Sequence, residues 1–183
     1  MKIDFIQTSC TAINSVYILR NFLDSEKYLN LLCKKIEKLT QKDSMNRVTN
    51  VKANMTTYHK LIEDADFSDI HRKIIETLQL IYRLRDPHWS GGIEMNMIES
   101  WGMKHMKGDH TKMHVHLGSE FSAAFILKTP PNVFFNFLDF ERKLEVENNM
   151  LLLFPALSKH SVDPCYEDDH RISMACNITI DVL

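Results

Sequence analysis

The stretch GDHTKMHVHLGSE, residues 108–120, carries His110, His114 and His116 and ends on the acid Glu120. In a strand, residues i and i+2 point to one face, so the HVH triplet aims His114 and His116 the same way from one element. Two such rings are two ligands for iron, zinc, manganese or nickel. A third must come from elsewhere in the chain. His160, at the start of the run KHSVD, is the candidate. With nine histidines in the chain, an HxH pair also arises by chance, with both rings merely solvated. His59, His71, His88, His105 and His170 show no such spacing and read as structural or exposed.

Around this stretch, short strand-like runs follow one another from residue 92 onward: IEMNMIESW, KMHVH, FSAAFILK, VFFNFLDF, MLLLFP, KHSVD and RISMACNITIDV. Turn residues separate them (KGD, LGS, TPPN, ENN, PCYEDD). Many short strands at this spacing predict a β-sandwich or small barrel. Residues 1–91 read as a helical N-terminal half. One helix is SEKYLNLLCKKIEKL, capped by Asp24, with Leu29, Leu32, Ile36 and Leu39 on one face. The other is SDIHRKIIETLQLIYRL, with Ile70, Ile74, Leu78 and Ile81; RDPHWSGG ends it, since proline and paired glycines break a helix. The expected fold class is α+β, mainly β: a single domain over 1–183, with residues 1–91 packed on a β-rich half over 92–183.

The last strand sharpens the chemistry. Arg171, Ser173, Ala175 and Asn177 share one face by alternation, and three of the four are polar. If that face points into a barrel, an unpaired Arg171 there is costly unless an anion meets it. A guanidinium takes a carboxylate in a bidentate fork, and a neighbouring hydroxyl adds a third bond. The opposite face, Ile172, Met174, Cys176 and Ile178, also needs cover, which the N-terminal helices can supply. The alternative is a polar face that is simply solvated.

Composition sets the outer limits. The chain has 183 residues, 44% hydrophobic and 25% charged, with a net charge of −2. That is enough for one core, and it shows no basic excess of the kind that marks a nucleic-acid surface. Cys10, Cys33, Cys165 and Cys176 form no CxxC pair and read as free thiols of a reducing, cytoplasmic compartment. The polar start MKIDFIQTSC does not fit a signal peptide, and no apolar run approaches the roughly 20 residues of a membrane span.

HVH, FPALSKH and RIS, in that order, resemble the double-stranded β-helix oxygenases that use Fe(II) and 2-oxoglutarate. Within them the chain is most similar to small stand-alone oxygenases encoded by tailed phages. The resemblance runs through Trp101, Gly108, His114, His116, Ser122, Phe154, Pro155, His160, Arg171, Ser173 and Asn177, with TNVKANMT (residues 49–56) as a further element. It implies a jelly-roll barrel, Fe(II) on His114, His116 and His160, and 2-oxoglutarate chelating the iron. The far carboxylate of 2-oxoglutarate would sit on Arg171 and Ser173, with Asn177 beside it; strand alternation, not the resemblance, adds Asn96 next to the cosubstrate. O2 would be the oxidant, succinate a product and hydroxylation the usual outcome. The superfamily's second ligand is ordinarily a carboxylate, and His116 stands in its place. Glu120 is the alternative ligand.

The same stretch also resembles the first motif of cupins, in which Gly108, His114, His116 and Glu120 have the expected spacing. That reading implies a metal on His114, His116, Glu120 and His160 without 2-oxoglutarate, in a dioxygenase, an isomerase or a binding protein. The second cupin motif fits poorly: Leu157 and Pro164 occupy its glycine and asparagine positions. A barrel of this kind accepts protein side chains, nucleobases or small molecules, with specificity set by loops. Residues 50–58 and TPPNVFFNF (129–137) are placed at the mouth by order alone. The apolar groups of NVFFNF equally suit a homodimer face.

Overall fold

Strand and helix boundaries follow the apolar spacing of the chain. The structure, a computed structural model, describes residues 3–7, 15–42, 49–85, 92–166 and 168–182. The elements are β1 (Ile3–Gln7), β2 (Ser15–Leu19), α1 (Glu26–Lys42), β3 (Val51–Lys52), β4 (Asn54–Met55), α2 (Ser68–Arg85), β5 (Ile93–His105), β6 (His110–His114), β7 (Phe121–Lys128), β8 (Phe134–Phe137), β9 (Arg142–Glu145), β10 (Met150–Pro155), β11 (His160–Val162) and β12 (Arg171–Val182). Seven strands form one sheet in the order β1-β2-β10-β7-β12-β5-β4, and five form the other in the order β3-β6-β11-β8-β9. Every pairing is antiparallel. The two sheets face each other as a jelly-roll, the double-stranded β-helix.

The N-terminal half is less helical than its sequence suggests. β1 and β2 extend the large sheet beyond β10, while β3 and β4 join the small and large sheets. Both expected helices form. α1 is capped by Ser25 rather than Asp24: the Ser25 hydroxyl accepts the Tyr28 N–H (3.2 Å) and its carbonyl the Leu29 N–H (3.0 Å). Asp24 lies one residue outside, almost fully exposed. The polar N-terminal groups of α1 are satisfied by that cap.

Two apolar layers hold the fold. Leu32 and Ile36 of α1 and Ile70, Ile74, Leu78 and Ile81 of α2 bury against Ile172, Met174, Cys176 and Ile178 on the outer face of the large sheet. Between the sheets lie Val16, Ile18, Ile126, Leu152 and Phe154 from one side and Val133, Phe135 and Phe137 from the other. The apolar residues Val133, Phe135 and Phe137 are therefore core, which removes them as a dimer face. Cys33 and Cys176 are free thiols, Cys165 is buried, and Cys10 lies outside the described residues. No helix among the described residues is long and apolar enough to cross a membrane.

Gly102 lets α1 come close to β5. A Cβ there would stand 2.9 Å from Ile36 Cγ2, and Ile36 is fully buried. Gly102→Ala is expected to destabilise the protein by about 1–3 kcal/mol through overpacking. Chemical denaturation would read this, and an unchanged midpoint would mean that α1 yields freely at this contact.

Candidate metal and anion site

β12 is a central strand, paired with β5 on one side and β7 on the other, so both of its edges are hydrogen-bonded within the sheet. Its apolar face meets the helices. Its other face turns Arg171, Ser173, Ala175 and Asn177 into the barrel, and all four are buried. The alternation seen in the sequence thus sorts the polar residues inward, with helices covering the other side.

The three histidines meet at one end of the β6–β11 pair in the small sheet. β11 pairs with β6 so that His160 lies directly opposite His114. β6 ends at His114, so His116 is not on the strand as expected. It sits in the following turn, held by a hydrogen bond from its N–H to the Ala156 carbonyl (2.8 Å). The ring centroids of His114 lie 4.9 Å from His116 and 4.2 Å from His160, and those of His116 and His160 are 5.1 Å apart. One ring nitrogen from each of the three lies within 4.8 Å of the others, which is the reach of a metal ion. Phe135 stacks on His160 at 5.3 Å and 9°, while Phe154 meets it edge-on at 4.8 Å. These contacts fix the ring and exclude water from its back.

Hydrogen bonding selects the tautomers. Nδ1 of His114 donates to the Lys112 carbonyl (2.9 Å) and Nδ1 of His160 to the Ser158 carbonyl (2.8 Å). A carbonyl only accepts, so the proton resides on Nδ1 and the lone pair on Nε2, the arrangement a metal ligand needs. Burial lowers all three pKa values. His116 is held down to about 4 by burial and then by His114. His160 is held down to about 3 by burial and the neighbouring His114, against the opposing Ser158 hydrogen bond. His114 is lowered by burial, again opposed by its backbone bond. All three are neutral bases at neutral pH.

Deeper along the inner face, Arg171 is 2% exposed, and its Nε and Nη1 have no hydrogen-bond partner among the described residues. Burial presses its pKa down to about 10, with Cys165 and Asp109 acting the other way, so it stays charged. Orphaned guanidinium nitrogens in a closed interior are the complement of an anion. Ser173, two residues on, is buried on the same face. A small cavity of about 50 Å³ lies within the barrel, lined by His114, His116, His160, Thr111, Ala124 and Ala175 among others. The alanines on β7 and β12 are the short side chains that leave this space.

Two expected site residues lie elsewhere. Glu120 is exposed, its carboxylate accepts the Ile180 N–H (2.9 Å), and it is not among the clustered metal-binding groups. Gly118, at φ +85°, turns the chain between His116 and Glu120, so their even spacing does not carry them to one face. Asn96 is exposed near the end of the sheet, where its amide donates to Asp181 (3.3 Å), outside the pocket walls. A β-bulge between it and Glu99 breaks the simple alternation that placed it beside Asn177.

Sequence reading missed Glu99 and His105. Both are on β5, two residues either side of the row Trp101 and Met103, and extending that alternation in both directions finds them. Glu99 pairs with Asn177, and His105 pairs with Arg171. His105 is 1% exposed, and its Nδ1 has no partner. Its pKa is well below the ordinary histidine value, through burial and then the charge of Arg171. A neutral imidazole therefore stands beside the guanidinium.

No protein-family profile and no curated protein matches the chain. Solved structures do share its architecture. The viral collagen prolyl hydroxylase of Paramecium bursaria Chlorella virus 1, in complex with 2-oxoglutarate, is 13% identical with a TM-score of 0.65, covering 89% of this chain and 94% of that one. The non-heme α-ketoglutarate-dependent epimerase SnoN from nogalamycin biosynthesis is 12% identical with a TM-score of 0.68, covering 90% and 77%. HygX from Streptomyces hygroscopicus, with nickel and 2-oxoglutarate bound, is 10% identical with a TM-score of 0.63, covering 90% and 82%. The chain has the double-stranded β-helix fold found in these 2-oxoglutarate-dependent enzymes.

Proposed function

We propose that the protein is an Fe(II)- and 2-oxoglutarate-dependent dioxygenase of the hydroxylase class. The observation that carries this is the pairing, in one barrel, of three neutral imidazoles aimed at a common point with a buried arginine, two of whose nitrogens have no partner among the described residues. His114, His116 and His160 would hold the metal, and Arg171 with Ser173 would receive the distal carboxylate of 2-oxoglutarate. The donor set suits a divalent first-row ion, since neutral imidazole nitrogen binds all of them. When bound, iron with 2-oxoglutarate and O2 supplies the oxidising power for C–H hydroxylation. The chain orients the imidazoles through Nδ1 bonds to the backbone, keeps them deprotonated by burial, and shields His160 behind Phe135 and Phe154. Its ligand set holds no carboxylate, so the dianionic cosubstrate brings the negative charge that opposes the metal.

Anaerobic addition of Fe(II) and then 2-oxoglutarate to metal-free protein tests this reading through visible absorption. A weak band that requires both additions is the expected result. Iron binding with no spectral response to 2-oxoglutarate would refute the cosubstrate. The cupin alternative draws no support from Glu120, whose carboxylate is engaged with the Ile180 N–H.

A further inference from the structure

A second pocket, of about 190 Å³, opens beside the histidines and shares His114, His116 and Trp101 with the inner cavity. Glu99 is the one carboxylate in its lining, which holds no lysine or arginine among the described residues. Its carboxylate is half-buried, and among the described residues no lysine or arginine forms an ion pair with it. Ser122 Oγ donates to Asn177 Oδ1 (2.8 Å), which turns the Asn177 amide nitrogen towards Glu99 Oε2 (2.6 Å). This relay holds the carboxylate in place and, among the described residues, gives it one neutral donor. An ionised carboxylate has about four acceptor positions, so most of its capacity is unspent.

The walls around it have the character of a cation site. Tyr58 and Trp101 meet edge-to-face at 5.1 Å and 82° and line the same pocket. Aromatic faces attract ammonium and guanidinium groups, above all beside a carboxylate. Trp101 is 3% exposed, and its indole N–H has no partner among the described residues. Leu117, 82% exposed at the rim, and Val115 offer apolar surface for an aliphatic stem. A partly buried carboxylate without a counter-ion costs free energy that a bound cation would offset.

We propose that the substrate presents an organic cation, an ammonium or guanidinium on an aliphatic stem, and that Glu99 receives it at the pocket mouth beside the metal. This rests on the oxygenase reading of the histidine site, and the test separates the two. Metal-free and Mn(II)-loaded protein are each titrated with butylammonium and butylguanidinium, and with butanol and butyrate, by saturation-transfer NMR. The two cations should bind and the neutral and anionic analogues should not. Mn(II) should broaden the stem protons of the bound cations. Glu99→Gln keeps an acceptor for Asn177; it should weaken the cations about tenfold and leave Mn(II) affinity unchanged. Lysine and spermidine against a short lysine-containing peptide then tell a free amine from a peptide side chain. Equal binding of cations and butanol would overturn the proposal. So would a Glu99→Gln protein that loses Mn(II) but binds cations as before, since Glu99 would then serve the metal. Glu99-dependent cation binding in a protein that takes up no Mn(II) would uphold the cation pocket and refute the oxygenase reading instead.

Discussion

Replacing Arg171 with methionine should abolish the response to 2-oxoglutarate and make the ligand-free fold more stable. The two effects have one origin. The guanidinium is charged and 2% exposed, and two of its nitrogens have no partner among the described residues. Each unsatisfied buried donor costs about 1–3 kcal/mol, and an apolar side chain of similar length removes that cost. Methionine also suits an irregular space because it is unbranched and adaptable. The stability of the ligand-free variant is therefore expected to rise by about 1–3 kcal/mol. With the guanidinium gone, a carboxylate entering the barrel loses its charge-assisted fork, a loss of about 2–5 kcal/mol of binding. Thermal melts of Mn(II)-loaded protein with and without 2-oxoglutarate read both quantities. Wild type at a hundredfold excess over the dissociation constant should gain about 2.7 kcal/mol, and the variant should gain nothing at the same concentration. Equal stabilisation of both proteins would remove Arg171 from the cosubstrate site. A variant less stable than wild type without ligand would mean that the guanidinium is not an orphan.

How legible this site was depended on how local each signal is. The two faces of β12 could be read directly because the strand is central: burial on both sides makes strict alternation the only arrangement that sorts polar from apolar residues. The helices were equally plain, since the spacing of Ile70, Ile74, Leu78 and Ile81 repeats over about three turns. The N-terminal strands were not legible, because β2 is specified by its pairing with β10, more than a hundred residues away. No local pattern encodes that partner. The histidines show the same division. Residue types and order indicated the trio, but the geometry that closes it is different from the one expected. His116 leaves the strand and is carried into place by a backbone bond to Ala156. Glu120 has the correct spacing for a ligand but is turned away after Gly118. His105 went unnoticed for a simpler reason: β5 runs four residues beyond Trp101, and the inward row extends with it. Glu99 lies within the expected run, where only the row through Trp101 and Met103 picks it out.

Loss of His160 should remove metal binding from a protein that still folds. His160 is the one ligand contributed by β11, and it faces His114 across the β11–β6 pair. Without it only two imidazoles remain, both near the end of β6. Perturbing groups that merely orient ligands costs about 10–100-fold in metal affinity, so removing a ligand should exceed about 100-fold. The His160→Ala protein keeps its Phe135, Phe137 and Phe154 cluster, and circular dichroism should show the wild-type β signature. A second readout comes from pH. In the folded protein His160 titrates at about 3, below the ordinary 6.5 of the unfolded chain. Between those values the unfolded state binds a proton that the folded state refuses. The stability tied to this depressed pKa is therefore complete above pH 6.5 and is lost as pH falls through the window towards 3. His160→Ala removes that share, so metal-free variant should lose stability less steeply between pH 6.5 and 4 than metal-free wild type. Metal binding by wild type should likewise persist into mild acid, because protons compete poorly for rings that burial keeps neutral. Undiminished iron affinity in the variant would place the metal elsewhere, and an unchanged acid slope would mean that the ring is more hydrated than its packing against Phe135 and Phe154 implies.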